Sequence, residues 1–324
     1  MIADLLPTDE QQQIEDSVSG TLTRLLPLER LRDEAASAAG AEMANWPAFV
    51  EAGLFGLGLD ADLGGVGYGL PEEVIVSRLL GRAVASSSVL ATMIAAHVAA
   101  SGGDAGLTEQ IVSGKKRAAF ANPTSAGEEV QLIDASQADL LVGWRGDQLA
   151  LFAQADIAGA RPIRCIDETV SLARALLPNS QLAASAPASR LSDRTSLLVA
   201  AYLVGLSERT RDMAVDYAQV RQQFGQQIGA FQAVKHICAD MAVRSEVAQA
   251  QTYLAAVQPD SMQIAAARVL AGQAALENGR ANIQVHGGIG FTFEADAHRL
   301  LKRAHVMVVL ASSDRAEKER IVAR

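Results

Sequence analysis

The stretch DYAQVRQQFGQQIGAFQAVKHICADMA, residues 216–242, decides the fold. A helical pattern of apolar residues runs into it, stops at Phe224-Gly225 and resumes near Phe231. An arginine, a phenylalanine and several glutamines surround this one break, although only 20% of the 324 residues are charged. We therefore expect two long helices joined by a short turn, and the side chains of that turn require an explanation.

The sequence on both sides of the break continues in the same way. From residue 191 to residue 324, apolar periodicity predicts four amphipathic helices with short connections, which is typical of a helical bundle. The four helices are predicted at about 193–222, 230–257, 260–286 and 294–312.

The first 116 residues also predict helices. Thr8 and Gln11 have the spacing of a capping box, and Pro71 suits the first turn of a later helix. The longest uncharged stretch, AVASSSVLATMIAAHVAASGG (83–103), is diluted by serines, glycines and a histidine. It therefore predicts a buried helix and not a membrane span.

Residues 117–190 have a different character. The runs ADLLVGW, QLALFAQ and TVSLARAL are short and partly alternating, which predicts strands, and RGDQ (145–148) predicts a hairpin turn. The predicted fold is mainly α with a small β domain. Its predicted parts are an N-terminal helical domain (1–116), a reduced central β domain (117–190) and a C-terminal four-helix bundle (191–324).

Charge and cysteine content exclude several classes of function. With 28 basic and 37 acidic residues, the net charge is -9, and no basic run exceeds Lys115-Lys116-Arg117, so nucleic acid is excluded as a partner. Cys165 and Cys238 fit neither metal spacing nor a disulfide framework, so no metal site is expected. The N-terminus is acidic and polar, unlike a signal peptide, so we expect a cytoplasmic protein.

The residues at the break suit a large phosphorylated ligand that carries a ring. Arg221 offers a planar fork of donors for phosphate oxygens, and Phe224 offers an aromatic face. Gly225 lets another group approach the backbone, and the Gln232 amide suits a polar ring edge or a phosphate. The same residues also fit a structural role, in which an arginine closes a helix and a phenylalanine enters the core.

A second group of residues lies in NIQVHGGIGFTFEADAHRLLKRAHV, residues 282–306. Gln284 falls on the last turn of a predicted helix, and Gly287 and Gly288 then expose backbone amides without side chains. Such amides form either a cradle for an anion or cofactor, or an ordinary helix C-cap. His286 has no ligand partner at metal-binding spacing, so we interpret it as a cap or contact residue.

Together the two stretches resemble the acyl-CoA dehydrogenase family. The first reads R-x-x-F-G-x-x-I-x-x-F-Q over residues 221–232, and the second reads Q-x-x-G-G-x-G-F over residues 284–291. The N-terminal GLFGLGLDADLGGVGYG (53–69) is similar to the family's G-L-x-x-x-x-x-P-E-x-x-G-G-x-G stretch. The similarity covers nearly the whole chain, in the family's order of domains.

The resemblance implies an oxidoreductase and flavoprotein of fatty acid or steroid degradation. Enzymes of the family remove the α-proton of an acyl-CoA thioester and pass the β-hydride to N5 of FAD. In the family, the residues that contact the cofactor usually reach across a dimer interface to the FAD of a neighbour. By resemblance, these positions are occupied here by Arg221, Phe224, Gln232, Gln284, Gly287 and Gly288.

The chain departs from the family at the catalytic base. That base is commonly a glutamate in a Y-E-G-T stretch after the last long helix, where this chain has LASSD and Ala311. An alternative base site lies ten residues before a glycine that matches Gly205, and Thr195 stands there. Neither alanine nor threonine can act as the required base. The catalytic residue is therefore left unassigned.

The β unit departs from the family as well. The family's T-E-P-x-A-G-S-D loop is represented only by ANPTSAGEEV (121–130), and the W-I-T-N-G strand that covers the flavin has no match. The residues that hold a neighbour's nucleotide are thus retained. Those that enclose a flavin and a base in the chain's own pocket are lost.

Our leading hypothesis is the half-site or non-catalytic subunit of a heteromeric acyl-CoA dehydrogenase. The family includes α2β2 enzymes of bacterial steroid side-chain degradation with shared flavin sites, and GFTFEADAH (290–298) resembles their G-F-T-[FW]-E-x-D form. The implied partners are an acyl-CoA of unspecified acyl group, a second subunit and an electron-transfer acceptor. Two alternatives stay open: a homodimer with its base elsewhere, at Glu294 or Asp314, and a flavin-free structural or regulatory relative.

Overall fold

The computed structural model of the chain describes residues 5–32, 42–124, 129–146, 148–184 and 188–323. Parts of three stretches considered above lie outside the described residues. These parts are residues 1–4 of the N-terminus, residues 125–128 of ANPTSAGEEV and Asp147 of the RGDQ turn.

Helices lie on both sides of one region of strands. In chain order the helices are α1 (Asp9–Leu25), α2 (Trp46–Glu51), α3 (Leu70–Arg82), α4 (Ser87–Ser101), α5 (Ala105–Val112), α6 (Ala188–Val220), α7 (Gln232–Val257), α8 (Ser261–His286), α9 (Ala297–Met307) and α10 (Asp314–Val322). The strands are β1 (Ala118–Pro123), β2 (Glu129–Ile133), β3 (Leu140–Arg145), β4 (Gln148–Ala153), β5 (Arg161–Ile163), β6 (Leu172–Leu176), β7 (Ala183–Ala184), β8 (Gln222–Gln223) and β9 (Gln226–Gln227).

This arrangement confirms the predicted fold class, a mainly helical chain with a small β domain and a C-terminal bundle. The residue limits 1–116, 117–190 and 191–324 stay predictions. The described helix before the sheet ends at Val112, and the first strand begins at Ala118.

By its internal contacts the chain divides into two compact units, and each is described by itself. Unit 1 comprises Met1–Arg32, Val74–Val84 and Ser196–Arg324. Unit 2 comprises Asp33–Glu73 and Ala85–Thr195. The helices α3 and α6 therefore contribute residues to both units.

Unit 2 contains a seven-stranded sheet. Its strand order is β5-β6-β2-β1-β3-β4-β7, and every neighbouring pair is antiparallel except β1 and β3, which are parallel. The predicted hairpin is present, because β3 and β4 pair with Arg145 opposite Gln148. Apolar side chains of the strands, including Leu141, Phe152 and Val130, form the core of the sheet.

The sequence prediction missed four strands of this sheet, which are β1, β2 and the short strands β5 and β7. β1 has the sequence AAFANP, and its first five residues are all buried. A strand that is covered on both faces shows no alternation of apolar and polar residues, so the period-2 pattern gives no signal. β2 is the neighbour of β1 and was missed with it.

The helix predicted from the uncharged stretch at 83–103 is α4, which is buried along most of its length. The Thr92 hydroxyl on α4 accepts a hydrogen bond from the backbone N–H of Ala118, at 3.0 Å, and so joins the helix to β1. Among the described helices, none combines the length and the apolar character needed to cross a membrane.

Unit 1 is helical and begins with the predicted capping box. Gln11 N–H donates to the Thr8 hydroxyl at 3.2 Å, and Thr8 N–H donates to the Gln11 side chain at 3.1 Å. In the bundle, α7 packs along α8, and α8 also packs on α9 and α10. The long helix α6 completes this assembly from Ser196 onward.

Two glycines allow α3 and α6 to approach closely within unit 1. A Cβ built on Gly205 would lie less than 3.0 Å from the Arg78 carbonyl oxygen, and one on Gly81 would meet the Tyr202 carbonyl oxygen equally closely. Any larger residue at either position would force the two backbones apart.

Buried ion pairs join the same two helices. Arg78 Nη1 donates to Glu208 at 3.0 Å, and Arg82 donates to Glu208 at 2.9 Å and to Asp212 at 2.8 Å. The guanidinium and carboxylate groups pair with one another, which offsets the cost of burying Arg78 and Glu208. The position of α6 is thus set by both the glycines and the ion pairs.

We predict that Gly205→Ala destabilises the chain by about 1–3 kcal/mol, because the new methyl group overlaps the backbone of α3. The matched control is Gly20→Ala on α1, where an added Cβ meets nothing within 4 Å. That change should stabilise the helix by about 0.5–1 kcal/mol. Urea unfolding of the two variants measures both effects, and equal stability of both variants would contradict the close approach.

Candidate functional site

The break that the sequence predicts at Phe224-Gly225 is a tight β-hairpin. α6 ends at Val220, Gln222 pairs with Gln227, and Phe224 and Gly225 form the two-residue tip. The φ angles of the two tip residues are 52° and 79°. Two consecutive positive φ angles are the signature of a type I′ turn. The chain then re-enters helix at Gln232, as predicted.

Phe224 occupies this tip at an energetic disadvantage. A non-glycine residue in the left-handed region loses about 1–2 kcal/mol, and the usual exceptions are asparagine and aspartate. The Phe224 side chain is also 91% exposed, and its ring contacts only the edge of Phe231 among described aromatic rings, with centroids 6.1 Å apart. A strained, exposed aromatic residue contributes little to this fold, so the hairpin indicates a binding role.

Arg221 stands between α6 and the hairpin. Its backbone is fixed on both sides: its N–H donates to Tyr217 at 2.9 Å, and its carbonyl accepts from Ile228 at 2.8 Å. Its exposed guanidinium forms no hydrogen bond with the described residues. Gln232, also exposed, lies within 3.0 Å of the His236 ring through its amide nitrogen. A fixed backbone with an unused fork of donors is well suited to binding phosphate.

The second motif forms the C-terminal end of α8. Gly287 has φ 65° and ψ -145°, a conformation that requires glycine. Gly288 differs, because its φ is not positive and an added Cβ would meet nothing within 4 Å. The isolated fold therefore does not require glycine at 288. Room for an approaching ligand is the physical use of a bare backbone at this position, next to the exposed Gln284.

The structure brings the two motifs to one end of the bundle. The rings of Tyr217 on α6 and His286 on α8 are stacked, with centroids 4.0 Å apart and planes 18° apart. Burial lowers the pKa of His286, and the ring lies 2.9 Å from the Asn282 carbonyl oxygen through Nδ1. Beneath this stack, α6, α7 and α8 share a small apolar core that includes Ala218 and Met241.

More exposed aromatic residues follow the glycines. Phe291 is 74% exposed and Phe293 is 73% exposed, in the turn between α8 and α9. The cation of Arg299 lies 5.9 Å from the Phe293 ring. Large exposed aromatic side chains at one end of a unit indicate a surface that a ligand or another chain covers.

Neither of the two base positions carries a proton acceptor. The Thr195 side chain is fully buried, and its hydroxyl donates to the Leu191 carbonyl at 2.7 Å on the same helix. Ala311 lies in the turn between α9 and α10 with φ 68°. A methyl group and a hydroxyl committed to its own helix cannot take a proton from carbon.

A buried arginine supports the turn that leads to Ala311. Arg268 Nη2 lies 3.0 Å from the carbonyl oxygens of Met307, Val308 and Leu310 and donates to them. Burial lowers the pKa of Arg268 to about 10. The turn is therefore a defined structural element, although the side chain at the base position is only a methyl group.

The two alternative acids lie on the surface of the single chain. Glu294 is exposed in the turn after α8, and Asp314 is exposed at the start of α10. Asp314 also forms an ion pair with Lys318 at 2.6 Å.

Unit 2 contains an ionic cluster that the sequence analysis missed. Glu73 on α3 is 1% exposed, and it bonds to His97 on α4 and to Arg194 on α6. Burial alone raises the pKa of Glu73, but hydrogen bonds and charge from His97 and Arg194 outweigh burial, so its pKa lies below the usual value. The three residues are far apart in sequence. The one signal available in the sequence was an acidic residue, Glu73, beside an apolar run.

Within the described part of the chain, no three histidine, cysteine or acidic side chains are grouped as a metal site. The unpaired Arg221 fork, the bare backbone at Gly288 and the exposed Phe224 ring together fit a phosphate-bearing, ring-containing cofactor. All of the predicted contact residues are exposed in this single chain.

Comparison with known proteins identifies the family of the chain from its two helical parts. Family models described as "Acyl-CoA dehydrogenase, N-terminal domain" and "Acyl-CoA dehydrogenase, C-terminal domain" match residues 8–112 and 190–324. Acyl-CoA dehydrogenase IpdE2 of Mycobacterium tuberculosis is 31% identical over 320 residues, which are 98% of each chain.

Solved structures show the same fold. Butyryl-CoA dehydrogenase from Megasphaera elsdenii has a TM-score of 0.82 at 17% identity, with 99% of each chain covered. The ChsE4-ChsE5 complex from Mycobacterium tuberculosis has a TM-score of 0.81 at 23% identity, with 98% of each chain covered. The chain belongs to the acyl-CoA dehydrogenase family, a family of oxidoreductases that use FAD.

Proposed function

We propose that this chain is the half-site subunit of a heteromeric acyl-CoA dehydrogenase and lends residues to an FAD shared with an unlike subunit. One contrast carries the proposal: the residues at the nucleotide-contacting positions are present and exposed, whereas both base positions lack a proton acceptor. The reaction of the assembled enzyme is the α,β-dehydrogenation of an acyl-CoA thioester.

The residues at the end of the bundle have distinct tasks in this proposal. Arg221 binds phosphate oxygens of the dinucleotide through its free fork. Phe224 places its ring against a planar part of the cofactor, and Gly288 lets the cofactor approach the backbone. The amides of Gln232 and Gln284 meet polar edges. FAD held by these residues would supply the hydride acceptor for the β-carbon of the substrate.

The missing base argues against independent catalysis by this chain. A positioned acid or base contributes about a hundred- to ten-thousand-fold to proton transfer. Ala311 and Thr195 provide no such group, and the second subunit must therefore supply the carboxylate. The similarity in fold to the ChsE4-ChsE5 complex supports a paired arrangement.

The exposed aromatic residues also support a covering partner. Phe224, Phe291 and Phe293 are each more than 70% exposed, at 91%, 74% and 73%. Burying a phenylalanine side chain contributes about 1.5–3 kcal/mol, so covering three of them favours association substantially. A homodimer that uses Glu294 or Asp314 as its base remains the alternative, and turnover by the chain alone would favour it.

We predict that the purified chain alone dehydrogenates no acyl-CoA. The test is a panel of acyl-CoA thioesters with an artificial electron acceptor, with FAD content measured in parallel. Adding a family member that has a full-length β domain and a glutamate at either base position should produce turnover and flavin binding together. Robust turnover by the chain alone would refute the half-site assignment.

We predict that Arg221→Ala releases FAD from the assembled enzyme. Charge-assisted hydrogen bonds contribute about 1.5–3 kcal/mol, so the Kd for FAD should rise by roughly ten- to a hundredfold. The control is Arg24→Ala, an exposed arginine on α1 that has no side-chain partner among described residues. An unchanged Kd in Arg221→Ala would reduce Arg221 to a helix-end residue.

We predict opposite effects of Phe224→Gly on stability and on FAD binding. Removing a side chain at φ 52° should stabilise the isolated chain by up to about 1 kcal/mol, while loss of the ring weakens FAD retention. Phe224→Asn is the matched variant, because asparagine tolerates this backbone region without providing a ring. A destabilised chain with unchanged FAD binding would show that Phe224 serves the hairpin only.

A further inference from the structure

The ionic cluster of unit 2 has an unusual geometry. His97 Nε2 is 2.6 Å from Glu73 Oε1, and Arg194 Nη1 forms an ion pair with Glu73 Oε2. Arg194 Nη1 also lies 3.3 Å from His97 Nε2. One buried carboxylate thus holds a cation and an imidazole side by side, each on a different helix.

The neighbouring backbone is shaped around this carboxylate. A Cβ on Gly58 would lie 2.5 Å from Glu73 Oε1, so a side chain there would require the Glu73 carboxylate to move. Gly58 belongs to GLFGLG, a glycine-rich stretch whose residues have no part in the proposed flavin contacts. The missing side chain at Gly58 therefore leaves space for the carboxylate. A larger residue at this position would displace Glu73 from its two partners.

Several nitrogen atoms of the cluster have no hydrogen-bond partner among the described residues. Glu73 engages Arg194 through Nη1 only, and the Nη2 and Nε groups form no hydrogen bond with described residues. His97 Nδ1 is likewise without a partner among them. The Arg194 side chain is 23% exposed, whereas Glu73 is 1% exposed. The guanidinium is therefore held at Nη1, and the Arg194 side chain is partly exposed.

This geometry suits one class of ligand. The Nη2 and Nε hydrogens of arginine form a fork that binds two oxygens of a carboxylate or phosphate at once. Fixing Nη1 beforehand removes rotamer freedom that such binding would otherwise lose. Glu73 and Arg194 neutralise each other, and a bound anion is partnered by the Arg194 fork.

We propose that Arg194, anchored by Glu73 and flanked by His97, binds a carboxylate on the acyl part of the substrate. The proposal rests on the proposed function for an acyl-CoA ligand. Arg194 directly precedes Thr195, the residue at a base position, which favours an anion on the acyl group over a phosphate of CoA. The chain is then selective for acyl-CoA thioesters whose acyl part carries a free carboxylate.

Isothermal titration of the purified chain with three ligands tests this directly. Adipoyl-CoA and hexanoyl-CoA have the same chain length with and without a terminal carboxylate, and CoA alone carries only the phosphates. We expect adipoyl-CoA to bind roughly ten- to a hundredfold more tightly than hexanoyl-CoA. Arg194→Met should abolish that difference, and Arg194→Lys should keep part of it as a point charge.

The control is Arg164→Met, an exposed arginine of the same unit, which should leave all three affinities unchanged. Equal binding of adipoyl-CoA and hexanoyl-CoA, or no binding of adipoyl-CoA, overturns the proposal. Equal weakening of all three ligands by Arg194→Met also overturns it, because the anion would then be on CoA. Turnover is not measured, so an active chain would refute the half-site assignment without affecting this result.

Discussion

The close approach of α3 and α6 at Gly81 and Gly205 is the constraint on which the rest of unit 1 depends. Two backbones in direct contact, with the Arg78–Glu208 ion pair beside them, leave α6 little freedom to shift or rotate. Because Arg221 and the hairpin directly follow α6, the position of this helix places them at the end of the bundle, where Tyr217 stacks on His286. The geometry of the site therefore follows from helix packing rather than from the hairpin itself.

The hairpin shows how stability and function separate in this chain. A glycine or an asparagine at position 224 would suit its backbone better than the phenylalanine does. The ring is also largely in water, so it adds little core packing to the isolated chain. Both features are unfavourable in a single chain, and the proposed function explains them by a cofactor ring that covers the Phe224 side chain. Local strain of this kind is typical of binding sites.

The bundle helices and the α4 helix were predictable, because each is an amphipathic or apolar run bounded by residues that begin or end helices. The order of domains followed from where these runs occur in the sequence. The break at Phe224-Gly225 was predictable as a turn, but the sequence did not show the paired glutamines that make it a hairpin. β1 was missed because both of its faces are buried, which removes the alternating pattern. The Glu73–His97–Arg194 cluster was missed because it depends on contacts between three helices.

In the proposed enzyme, an FAD shared with a second subunit covers the hairpin and the glycine turn. Hydrogen–deuterium exchange of residues 221–227 and 287–293 tests this coverage, with the chain alone and with the chain assembled with partner and FAD. We expect fast exchange in both segments of the isolated chain and strong protection of both in the assembly. Unchanged exchange in both segments, while FAD is demonstrably bound to the assembly, would contradict it.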